Sequence, residues 1–166
     1  MGSTVDIRIS TSIAAYPSEG IFKRCVISRK IDVPALIAAG TLTASGLINT
    51  NTYTLINIPQ YCIVLGAYIF VRTVDTGGGT ITVNTSGSKT LCTTLALSGL
   101  GTIIDSSGAG WTIANILAYN TGAGTDYASI LIGTANVTTA IFDVCLDTLH
   151  ADQPYNAGTP AGTTGQ

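Results

Sequence analysis

Charge is the first thing this sequence lacks: 10% of its 166 residues are Asp, Glu, Lys or Arg, while 46% are hydrophobic, against roughly 25% charged residues in an ordinary soluble domain. Too few charged side chains are present to face water in the usual way, so part of the surface is expected to be covered by other protein. Mean hydropathy is positive, yet Thr, Ser, Asn and Gly break every apolar run well before the roughly 18 residues of a membrane helix. The longest run, Ile63 to Val71, is strand-sized, and no membrane partner is expected. The start, Met1-Gly2-Ser3-Thr4-Val5-Asp6-Ile7-Arg8, carries no basic segment followed by an apolar core. A secretory signal is therefore not expected, and synthesis in the cytosol is.

The side chains that do chemistry are also scarce. There is one histidine, His150, and a Ser or Cys triad needs a histidine base; beside the C-terminal segment it reads as a surface residue. Four cysteines, Cys25, Cys62, Cys92 and Cys145, stand singly with no C-x-x-C pair, and read as reduced core residues rather than disulfides or zinc ligands. The nine carboxylates are not set at calcium-loop spacing, so no metal or other cofactor is expected. Ser86-Gly87-Ser88-Lys89-Thr90 has a serine between glycine and lysine and no helix-forming run after it, and Gly77-Gly78-Gly79 lies between two β-type runs. Neither is a phosphate-binding loop. Asp75, Asp126, Asp143 and Asp147 could pair in space for glycosidase work, but solvated turn and strand-end acids are the commoner arrangement. No enzyme is expected.

What is present is β structure. Short β-branched runs alternate with Gly, Asn, Ser and Thr: Thr52 to Ile58, Ile63 to Val74, Thr80 to Val83, Thr90 to Leu97, Thr102 to Ile104, Ser129 to Ile132 and Thr139 to Leu146, with Trp111 to Tyr119 assigned as strand over helix. That pattern predicts an all-β fold, a single β-sandwich or jelly-roll-like domain of about eight strands. Ile63 to Val74 places Tyr68, Phe70, Arg72 and Val74 on one face and Ile69 and Val71 on the other, which predicts a central strand. Asp75 to Gly79 reads as the loop of a hairpin joining it to Thr80–Val83. Asp32 to Gly40 predicts one helical turn, capped by Asp32 and stopped by Gly40.

The charge that exists is segregated. Arg8, Lys23, Arg24, Arg29 and Lys30 are five of the seven basic residues and, with Asp6 and Glu19, give residues 1–30 a net charge of +3, leaving −5 on the remainder. Three parts are expected: an extended N-terminal arm over 1–30, a sandwich domain over 31–152 and a flexible Gly-, Thr- and Pro-rich tail over 153–166. With an overall net charge of −2, nucleic acid is an unlikely partner, and the arm's cations suit an acidic protein surface.

Leu55-Ile56-Asn57-Ile58-Pro59, Val64-Leu65-Gly66-Ala67-Tyr68-Ile69-Phe70-Val71, the Asp75–Gly79 loop with Thr80-Ile81-Thr82-Val83, and the closing runs Ser129–Gly133 and Ala140–Asp147 together resemble tailed-bacteriophage head decoration, or cement, proteins. The resemblance spans Ile31 to Asp152. It implies a structural virion protein on the capsid exterior, partnered by the major capsid protein and by further copies of itself as a dimer or trimer. Arg8, Lys23, Arg24, Arg29 and Lys30 would then be partner-binding residues of the arm. The alternative is a carbohydrate- or receptor-binding sandwich module of a phage tail or fibre, using rings among Tyr53, Tyr61, Tyr68, Trp111, Tyr119 and Tyr127.

Overall fold

The computed structural model describes residues 4–6, 22–58, 62–86, 89–104, 118–119 and 126–151. They form β1 (Thr4–Asp6), β2 (Phe22–Asp32), α1 (Val33–Ala38), β3 (Thr52–Asn57), β4 (Cys62–Thr73), β5 (Thr80–Thr85), β6 (Thr90–Ala96), β7 (Gly101–Ile103), β8 (Ala118–Tyr119), β9 (Tyr127–Gly133) and β10 (Ile141–Ala151). One sheet runs β1-β3-β9-β5-β6 and the other β2-β10-β4-β7, with β8 also on β4. All pairings are antiparallel except β1 with β3. Without the short β1 and β8, the strands taken in chain order alternate between sheets except at the β5–β6 hairpin, in the jelly-roll pattern, the first beside the last and the second beside the last but one. The all-β sandwich expected from the sequence is thus present, and β4 lies inside its sheet, between β10 and β7.

Two details differ from expectation. Phe22 to Lys30, placed in the arm on sequence alone, belongs to β2, which pairs with β10 without a register shift from Phe22↔Ala151 to Asp32↔Ile141. The Asp75–Gly79 segment is not a hairpin loop: β4 pairs with β10, β7 and β8, whereas β5 pairs with β6 and β9. The segment crosses between sheets. Five residues can close a hairpin or span the ~10 Å between stacked sheets equally well, so local sequence does not separate the two. Residues 1–3 and 7–21 of the expected arm, and 152–166 including the whole expected tail, lie outside the described residues, as does Trp111–Leu117.

The core follows from period-two alternation interrupted at defined points. Phe142, Val144, Leu146 and Thr148 of β10 and Ile81 and Val83 of β5 are fully enclosed. In β4 the inward set is Cys62 and Val64, then Ala67, Ile69 and Val71. The change of parity coincides with a register shift against β10, where Asp147↔Gly66 is followed by Thr148↔Val64. A bulge of one residue reverses which side chains face inward. All of these but Thr148 join Tyr53, Leu91, Leu95, Ile130 and Ile132 in one apolar cluster.

Local chemistry fixes the ends. Asp32 accepts a hydrogen bond from Ala35 N at 3.2 Å, with Pro34 in the first turn of α1, and Gly40 has a φ of 72° just beyond the helix, so cap and terminator stand where the sequence places them. The cross-sheet segment is held by Asp75, which is 3% exposed. Its Oδ2 accepts from Gly77 N at 3.0 Å and Gly79 N at 3.1 Å. Its Oδ1 accepts from Thr138 N at 3.1 Å, Thr139 N at 3.4 Å and the Thr139 hydroxyl at 3.3 Å. One carboxylate thereby ties the β4–β5 crossing to the β9–β10 connection, 63 residues away in sequence.

Candidate interaction surface

Side chains of β4 that do not enter the core stand on the outer face of the β2-β10-β4-β7 sheet: Tyr68 half-buried, Phe70 38% exposed, and Arg72 exposed. This is the face division the sequence predicts. Cross-strand register assembles rows: Ser28, Cys145 and Tyr68 in one, and Lys30, Asp143, Phe70 and Thr102 in the next. Val26 stands opposite Asp147 and is 52% exposed. Between Val26 and Ser28 on one side and Phe70 and Thr102 on the other lies an open depression of about 360 Å³, whose lining includes Asp143 and Cys145.

The electrostatics of this face are largely settled internally. Asp143 Oδ2 accepts from Arg72 Nε at 2.8 Å and Nη2 at 2.7 Å. The guanidinium carbon sits 5.4 Å from the Phe70 ring centroid, within cation–π range. Burial pushes the Cys145 thiol above its ordinary pKa, against an opposing hydrogen bond with Tyr68, and burial likewise raises Tyr68. A thiol held protonated is a poor nucleophile, and Cys145, 6% exposed, lines the floor of the depression. Cys62 and Cys92 are buried as well.

The cations singled out by sequence fall as follows. Arg8 lies outside the described residues. Lys23 and Arg24 sit in β2 opposite His150 and Leu149. Lys30 is exposed and pairs with Asp32 at 3.2 Å. Arg29 is half-buried opposite Val144, with its Nε buried and without a hydrogen-bond partner. Four of the five are therefore on one strand. Sequence reasoning missed the apolar part: Val26, Phe70, Leu100 at 68% and Ile104 at 59% exposure lie on this sheet or at the ends of its edge strand β7, and Ile48 is the only other large exposed hydrophobic among the described residues. Its signal is Leu100 and Ile104 flanking a three-residue strand too short to bury both.

The remaining candidates have structural roles. Tyr53 is 1% exposed and its hydroxyl accepts from Ile48 N at 2.7 Å, and Tyr127 is half-buried; Tyr61 and Trp111 lie outside the described residues. Asp75 binds main-chain amides, Asp126 bonds Ser86 and Tyr127 N, and Asp143 bonds Arg72. Among the described residues no group of three or more His, Cys, Asp or Glu is placed to hold a metal ion.

No family model and no curated protein matches this chain. Among solved structures, it is similar to a chain of the cyanophage Pam1 capsid asymmetric unit, with a TM-score of 0.43 and 17% identity over 86% of this chain and 94% of that one. A chain of the capsid of Ralstonia phage GP4 gives a TM-score of 0.45 and 16% identity over 88% and 98%. Likeness at this depth does not by itself assign a role.

Proposed function

We propose that this chain is a structural virion protein that binds the exterior of a phage capsid and stabilises it through protein–protein contacts, without catalysis. The observation that carries this reading is the gathering of Val26, Phe70, Leu100 and Ile104 on or beside one sheet, next to the cations of β2. An apolar surface rimmed by polar groups marks a protein interface. The residue pattern that resembles phage head decoration proteins supports the same reading. The partners are the major capsid protein and further copies of this chain. Contacts of roughly 1,000 Å² or more, repeated over a symmetric shell, stabilise it without any single strong site.

The test is size-exclusion chromatography with light scattering, on the purified protein alone and mixed with capsids that lack it. Saturable, stoichiometric co-elution is expected. Neutralising Lys23, Arg24, Arg29 and Lys30 together should weaken occupancy; full occupancy would remove these residues from the contact. A free, inert species would sink the capsid reading and send the protein to a glycan array.

A further inference from the structure

Edge strands expose a row of unpaired main-chain N–H and C=O groups, and natural sheets blunt them by shortness, bulges or charge. Three of the four edges here are short or irregular. Strands β1 and β7 have three residues each, and β6 has register shifts against β5 and a φ of 52° at Thr94. Strand β2 differs: it has 11 residues, no glycine or proline, and an unshifted register with β10. Among the described residues no strand pairs with its other edge. Its sequence, Phe22-Lys23-Arg24-Cys25-Val26-Ile27-Ser28-Arg29-Lys30-Ile31-Asp32, carries four cations and one carboxylate.

Those cations decide what can pair there. In the antiparallel self-pairing that joins Phe22 to Ile31, Lys23 faces Lys30 and Arg24 faces Arg29; one residue over, Arg24 faces Lys30. Like charges directly opposite each other destabilise a strand pair, and opposite charges stabilise it. Those two registers of a second copy are therefore disfavoured, whereas a strand with carboxylates at the facing positions is accepted in any register that sets them opposite the cations. Arg29 is half-buried and Lys30 exposed at this end of the edge. We infer that the outer edge of β2 is a docking site for an extended segment of another protein chain bearing carboxylates, added to the sheet as a further antiparallel strand. The site goes beyond the capsid reading and stands on this edge alone: a chain that ignored capsids would still bind such a strand.

The probe is a peptide of about eleven residues, matching β2 in length, that alternates Thr with Glu; controls carry Ser or Lys in place of Glu. The full chain is titrated with each while amide hydrogen exchange is followed residue by residue. The Glu peptide should slow exchange at alternate amides of β2, the ones turned away from β10, and bind roughly tenfold or more tightly than the Ser peptide, the scale of several cross-strand charge pairs acting together. The double variant Arg29→Glu/Lys30→Glu, whose thermal unfolding checks its fold, should move that preference toward the Lys peptide. Equal binding of all three peptides, or binding of the Glu peptide without protection of β2, would overturn the inference. So would protection of the same amides by raised protein concentration alone, which would make the occupant a second copy.

Discussion

Replacing Asp75 with alanine tests how much of the fold hangs on one side chain. The carboxylate accepts four main-chain N–H bonds and one hydroxyl bond, and alanine withdraws all of them. The Gly79 bond is buried, and leaving a buried donor unsatisfied costs about 1–3 kcal/mol. The amides of Gly77, Thr138 and Thr139 are only partly buried, so water replaces part of what they lose. A total loss of about 3–5 kcal/mol follows, a large share of the ~5–15 kcal/mol that holds a typical domain together. Asparagine separates hydrogen bonding from volume. With its oxygen toward Gly77 and Gly79, its NH₂ faces Thr138 N and Thr139 N, where only the Thr139 hydroxyl can turn to accept; a loss of about half the alanine value is expected. Urea denaturation followed by circular dichroism reads both, with the slope against urea unchanged. An alanine variant within about 1 kcal/mol of the parent would refute Asp75 as the tie between the two connections.

Two further outcomes follow from the core and the outer face. Phe142→Ala should lose about 3–5 kcal/mol by urea denaturation, because its ring is fully buried between the sheets and leaves a cavity. Stability should also fall as pH rises above about 8.5, where a free thiol ionises: the folded Cys145 keeps its proton to higher pH than the unfolded one, so the unfolded chain gains from ionising first. Tyr68 acts in the same direction at higher pH, and thermal melts of Cys145→Ala across the alkaline range should show a shallower decline.

How far the sequence spoke depended on whether a signal was periodic or relational. The apolar run of β4 announced a central strand, with Tyr68, Phe70 and Arg72 opposed to Ile69 and Val71, because alternation fixes the face of each side chain once the strand exists. Asp32 and Gly40 marked the helix ends by their own chemistry. The strand β2 hid behind its charges. Its paired cations suggested a solvated arm, although Ile27 packs against the core and Ile31, four residues on as one strand face requires, is buried in it. The crossing at Asp75 was illegible for another reason. Whether β5 pairs with β4 is decided by β9 and β6, which offer it both edges, and no residue in the loop encodes them. The apolar surface likewise arises from strands distant in sequence, since Val26 and Phe70 share a sheet, with Leu100 at the end of its edge strand, only after folding.

The two sheets solve their exposure differently. Strands β3, β5, β6 and β9 contain no Asp, Glu, Lys or Arg, and their outer face is furnished with hydroxyls and amides, as in Thr80 with Thr134 at 3.1 Å and Thr90 with Asn84 at 3.0 Å. Every charged strand residue outside β1 lies in β2, β4 or β10. The low charge of the chain is thus one uncharged polar face plus one face that carries Lys30 and Arg72 together with the exposed Val26 and Phe70. Only the second has the means to steer a charged partner and bury apolar area against it. A lysine placed at Thr82, half-exposed on the uncharged face, should leave capsid occupancy and its dependence on salt unchanged. Phe70→Lys, on the other face, should lower occupancy by at least tenfold, because burying an unpaired ammonium in place of a ring costs more than the ~1.4 kcal/mol such a factor represents. Co-sedimentation with capsids over a range of salt concentrations measures both. Loss of binding on Thr82→Lys with Phe70→Lys unaffected would assign the contact to the uncharged face and overturn the division of labour between the sheets.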